Sequence, residues 1–249
     1  MDFSATASKR VLLFLAALLV LWTVTVDSAS DEGEIYAACN VVKYSKGSEF
    51  DRNLEALFKT LTEKAADSGF GASVYGREKP NQLSGRLQCR GDLSPADCGA
   101  CSAEAVKVVR RDCPNAIGAR VQLEHCFLRY ENYTFLSQLD TNYWYGLVNV
   151  NNNTDTGFNA AAHSLLADLS RKAPASPIKF ALGSSVVSSN VSIYAMEMCW
   201  RDMSGKDCAA CISKGIEKLF DCCSEKVGVQ VFMGSCTLRY ETYQFAKHY

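Results

Sequence analysis

The cysteine spacing C-x8-C-x2-C-x11-C-x12-C is written twice, at positions 89, 98, 101, 113 and 126 and again at 199, 208, 211, 223 and 236. Laying Cys89–Phe135 over Cys199–Phe245 needs no gap. Of the 47 positions, 17 are identical, and the two copies end in CFLRYENYTF and CTLRYETYQF. Upstream, Tyr36–Val41 lies over Tyr145–Val150, and Ser48–Ala65 over Thr156–Ala173, with small slips. A self-match of this density in 249 residues implies two copies of one unit of about one hundred residues. A unit that small buries a limited core, so covalent crosslinks add much to its stability.

Whether the twelve cysteines are oxidised depends on the compartment. Lys9-Arg10, the apolar run Val11–Val26 and the small residues Ser28-Ala29-Ser30 read as a secretory signal peptide over residues 1–30. That apolar run is short for a membrane span, no later stretch is apolar enough to cross a bilayer, and the C-terminus resembles no retention or lipid-anchor signal. The mature chain is therefore expected outside the cell, with its cysteines paired and without a membrane span. Sequons at Asn132, Asn152 and Asn190 fit that route. Removing residues 1–30 leaves 24 Lys+Arg against 25 Asp+Glu, a balance that gives no electrostatic reason to bind nucleic acid.

Periodicity gives each copy the order β, α, β, β, α, β, β. Ser48 with Asp51 reads as an N-cap, followed by Leu54, Leu57, Phe58 and Leu61 at helical spacing. Ser94-Pro95 with Asp97 opens a second helix striped by Cys101, Ala105, Val108 and Val109, and Pro114-Asn115 stops it. Strands are expected at Phe70–Arg77, Leu83–Arg90, Ile117–Glu124 and Cys126–Phe135. In copy two, Thr156 with Asn159 and Ser204 with Asp207 open the helices. The fold class is α+β: two tandem domains, 31–137 and 138–249, each an antiparallel sheet of about five strands covered by two helices and stapled by disulfides.

Cys98-x-x-Cys101 and Cys208-x-x-Cys211 could be a zinc or redox motif. The only histidines, His125, His163 and His248, lack paired ligand spacing, and no thioredoxin-like βαβ pattern surrounds either pair. Structural disulfides are the better reading, with no metal or cofactor. Spacing alone does not choose among the 15 ways of joining six cysteines.

The doubled spacing resembles the plant ginkbilobin-like, stress-antifungal family of cysteine-rich secretory proteins, whose modules also form ectodomains of cysteine-rich receptor-like kinases and plasmodesmata-located proteins. The resemblance covers nearly all of the mature chain. It implies the pairs Cys39 with Cys113, Cys89 with Cys98, Cys101 with Cys126, Cys199 with Cys208, and Cys211 with Cys236. Val148 stands where copy two should repeat Cys39, so Cys223 loses its partner and has Cys222 beside it. A vicinal bridge, a link between chains and two free thiols are all open at this point.

The resemblance also implies mannose binding and antifungal activity through Asn40, Arg120 and Glu131. The chemistry is coherent, because a guanidinium offers fixed donors, a carboxylate acceptors and an amide both to the hydroxyls of a neutral sugar. Copy two keeps Asn149 and Glu241 but has Gln230 in place of Arg120, so it should bind sugar weakly or not at all. A plainer reading makes Glu131 half of a strand ion pair with Arg129, kept in both copies, and makes Asn40 a turn amide. The functional expectation is a secreted plant-defence lectin of the apoplast, a glycoprotein whose partners are mannose-containing glycans of fungal walls. The alternative is an apoplastic interaction module whose partner is a receptor or other apoplastic protein. No nucleophile–base pair, metal motif or phosphate loop suggests an enzyme.

Overall fold

The computed structural model describes residues 33–76, 78–153 and 155–247, and the signal peptide expected at 1–30 lies outside them. The first repeat runs β1 (Glu34–Cys39), α1 (Glu49–Ser68), β2 (Phe70–Tyr75), β3 (Leu83–Cys89), α2 (Pro95–Asp112), β4 (Ala119–Leu123), β5 (Cys126–Glu131). The second runs β6 (Trp144–Val148), α3 (Thr156–Ala175), β7 (Phe180–Ser188), β8 (Val191–Cys199), α4 (Gly205–Cys223), β9 (Val229–Met233), β10 (Cys236–Glu241). The sheet orders are β1-β4-β5-β3-β2 and β6-β9-β10-β8-β7, with every pairing antiparallel. This is the expected α+β tandem of five-stranded sheets, each with two helices.

Local chemistry sets the helix ends. Ser48, Ser94 and Ser204 each accept a hydrogen bond from the backbone N–H three residues on, and Pro95 occupies the first turn of α2. The second repeat departs from the expected Thr156 start: Asp155 caps α3 by accepting from Gly157 N, and Thr156 is already helical. A carboxylate there also meets the positive end of the helix dipole. Helix α1 ends at Gly69, whose φ of 80° suits a residue without Cβ and lets its N–H reach Ala65 O. The last strands of the first repeat are shorter than the alternation suggested. The β3–β5 ladder closes at Ser84↔Glu131 and the β4–β5 ladder at Ala119↔Tyr130, so residues 132–135 have no partner strand.

The helices cover one face of each sheet. Helix α1 buries Phe50, Leu54, Leu57, Phe58, Leu61 and Ala65, each large side chain contributing about 2 kcal/mol by burial. Six disulfides link the twelve cysteines: 39–113, 89–98, 101–126, 199–208, 211–236 and 222–223. Val148 pairs with Val229 at the register where Cys39 pairs with Ala119, so Cys223 has no sulfur on the neighbouring strand and bonds to Cys222.

The sheet faces away from the helices meet each other. Phe127 stacks on Trp200 with centroids 4.5 Å apart, beside Met198 and Met203, and Trp200 Nε1 donates to Gly234 O at 2.8 Å. Gln88 crosses the seam twice, donating to Cys199 O and accepting from Arg201 N. Arg86, fully buried, pairs with Asp202 at 2.7 Å. Burial pulls its guanidinium down to about 10, although Asp202 favours the charged form.

Candidate ligand-binding groove on the first repeat

Asn40, Arg120 and Glu131 lie on three different segments, and antiparallel pairing brings them together. Arg120 stands on β4 opposite Arg129 of β5, and Glu131 follows two residues later on the same face. Asn40, just past β1, is tied in by Asn40 N donating to Gly118 O at 2.8 Å. The three line one cavity of about 330 Å³, with Tyr133 and Tyr143 completing its walls.

Each group has neighbours that define what it can offer. Glu131 Oε1 accepts from Arg129 Nε at 3.1 Å and lies 3.8 Å from Arg120 Nε. Asn40 Oδ1 accepts from Val42 N, closing an Asx turn, so its NH2 is what it can present to a ligand. Arg120 also donates to Asp140 at 3.3 Å and lies over the Tyr143 ring at 5.0 Å. Burial, with Tyr143 adding to it, pushes the Tyr36 hydroxyl up beside this cluster.

The second repeat shows which of these contacts recur. Asn149 makes the same turn by accepting from Asn151 N, and Arg239 donates to Glu241 and to Tyr243 as Arg129 does to Glu131 and to Tyr133. The Asn and the Glu therefore hold strand ends in both repeats, as the plainer reading proposed for them. Arg120 has no such duplicate. Its counterpart Gln230 is buried, lining a space of only about 10 Å³ with Arg90 and Gln122 of the first repeat.

Two contributors escaped the sequence reading. Asp140 and Tyr143 come from the segment joining the repeats, and the second repeat positions Asp140, because Ser235 Oγ accepts its N–H at 2.8 Å. Their signal is non-local contact, which no periodicity reveals. Gly118 was visible as a position identical in both copies. A Cβ there would overlap the Glu131 carboxylate, and one at Gly228 would overlap that of Glu241, so both glycines admit a carboxylate against the backbone.

Fold and groove define a class: a tandem of disulfide-stapled α+β repeats whose first member carries a small groove lined by both charged and aromatic side chains. The chain belongs to the salt stress response/antifungal family, whose model matches residues 38–133 and 147–243. An antimicrobial ginkbilobin-2-like protein of Castanea crenata is 32% identical over 93% of this chain and 97% of its own length. Cysteine-rich repeat secretory protein 38 of Arabidopsis thaliana is 33% identical over 96% of this chain and 98% of its own. The crystal structure of the tandem DUF26 ectodomain from the Arabidopsis thaliana cysteine-rich receptor-like protein PDLP8 superposes with a TM-score of 0.76 at 29% identity, covering 86% of this chain and all of that one.

Proposed function

We propose that this is a secreted apoplastic defence lectin, without catalytic activity, that binds mannose-type glycans in the groove of its first repeat. The observation that carries the reading is Arg120: it lines the cavity with Asn40 and Glu131, and it alone of the three is replaced in the second repeat. A guanidinium, a carboxylate and an amide NH2 around a space of that size suit the clustered hydroxyls of one pyranose, and the two tyrosine rings offer apolar walls to its C–H faces. Glycans at Asn152 and Asn190, both exposed, would add to its solubility in the apoplast.

Retention of the mature protein on immobilised mannose tests this. Arg120→Ala and Glu131→Ala should each lose retention, while Gln230→Ala should keep it. Equal retention of all three variants would remove the groove from the proposal.

A second reading, an interaction module for an apoplastic or receptor protein, draws on the receptor-like ectodomain among the structural relatives and on the edge strand β6, where Trp144, Leu147 and Val148 are exposed. A glycan array without hits, together with a reproducible protein partner, would favour it.

A further inference from the structure

The Cys222–Cys223 bridge differs from the other five in what it does for the chain. Cys89–Cys98 and Cys199–Cys208 span 9 residues, Cys101–Cys126 and Cys211–Cys236 span 25, and Cys39–Cys113 spans 74. A crosslink stabilises by closing a loop in the unfolded chain, and a bond between neighbours closes none. Its opening therefore costs the fold little. Helix α4 stays pinned at its other end by Cys208 and Cys211, both fully buried.

The two sulfurs are also unequal. Cys223 belongs to the buried stripe of α4 with Cys208, Cys211, Ile212, Gly215 and Leu219, whereas Cys222 falls off that stripe and is exposed. An incoming thiol meets Cys222 first. All twelve cysteines are paired, so no free thiol of the chain competes for the bridge.

We infer that Cys222 is a covalent attachment site for small extracellular thiols. The thiolate of the incoming molecule attacks Cys222 Sγ, and the Cys222–Cys223 bond breaks. Its electron pair leaves on Cys223 Sγ, which takes up the proton. One disulfide replaces another, with no net oxidation or reduction. Cys223 then sits in the buried stripe at the C-terminal end of α4. An excess of the incoming thiol holds the adduct against return attack by Cys223 until it is quenched.

Glutathione added to the full chain, followed by acid quench and mass spectrometry of a non-reduced digest, tests this. The expected result is a gain of one glutathionyl group on Cys222, a Cys223 thiol open to alkylation, five intact bridges and an unchanged melting temperature. The double variant Cys222→Ser, Cys223→Ser should fold with the same melting temperature and lose the uptake. The inference is overturned if the adduct forms on Cys223, if Cys39–Cys113 opens first, or if opening the 222–223 bridge lowers the melting temperature.

Discussion

Two residues before the first cysteine of the repeated spacing, copy one has Leu87 and copy two has Glu197. Leu87 belongs to the core beneath the helices, and strand alternation puts Glu197 on the same side, flanked by Ala181 and Leu238 of the adjacent strands. Glu197 is fully buried, and among the described residues neither carboxyl oxygen has a hydrogen-bond partner. Burial pushes this carboxyl up from 4.5 to about 9, so the folded chain holds it protonated at neutral pH. The unfolded chain releases that proton near pH 4.5. The penalty is thus absent below that pH, grows by about 1.4 kcal/mol per pH unit above it, and levels off near pH 9. At pH 7 it is on the order of 3 kcal/mol. Glu197→Leu should remove it, together with about 1–3 kcal/mol for the unpaired polar group at any pH. Its melting temperature should exceed that of the parent by roughly 2–4 °C per kcal/mol, and the advantage should widen by about 4 kcal/mol between pH 5 and pH 8. Glu197→Gln, which cannot ionise, should lose the pH dependence but keep the polar cost. Calorimetric melts at both pH values decide the matter: a constant Glu197→Leu advantage, or a less stable variant, would refute the reasoning.

Two further substitutions probe the groove and the seam. Gly118→Ala should displace the Glu131 carboxylate and press on Tyr130 O at a stability cost of about 1 kcal/mol; retention on mannose resin should fall while the denaturation midpoint shifts only by that amount. Asp202→Ala strands Arg86 in the seam without its counter-charge, and urea titration should show a loss of about 3–5 kcal/mol.

The sequence made the architecture legible because the repeat, the helical stripes and the serine caps are local signals that the packing obeys. Asp155 was passed over because aligning Thr156 with Ser48 placed the cap one residue late, in a stretch where the copies slip. Strand ends were overextended, since alternation continues through Tyr133 and Phe135 after partner strands have run out. In the groove, residue type pointed to Asn40, Arg120 and Glu131, and the cavity they share follows from β1–β4–β5 pairing. Asp140 and Tyr143 had no such signature, because their place depends on how the joining segment folds back between the repeats. Glu197 was equally hidden: a single charged residue in an apolar strand looks like any surface position until its register with Leu238 is known.

The hydrogen bond from Asp140 to Ser235 has a consequence for dissection. A fragment ending after the first repeat would keep Asn40, Arg120 and Glu131 yet lose the hook that hangs Asp140 beside Arg120. The groove is thus a joint product of both halves, and neither half alone would hold its full lining in place.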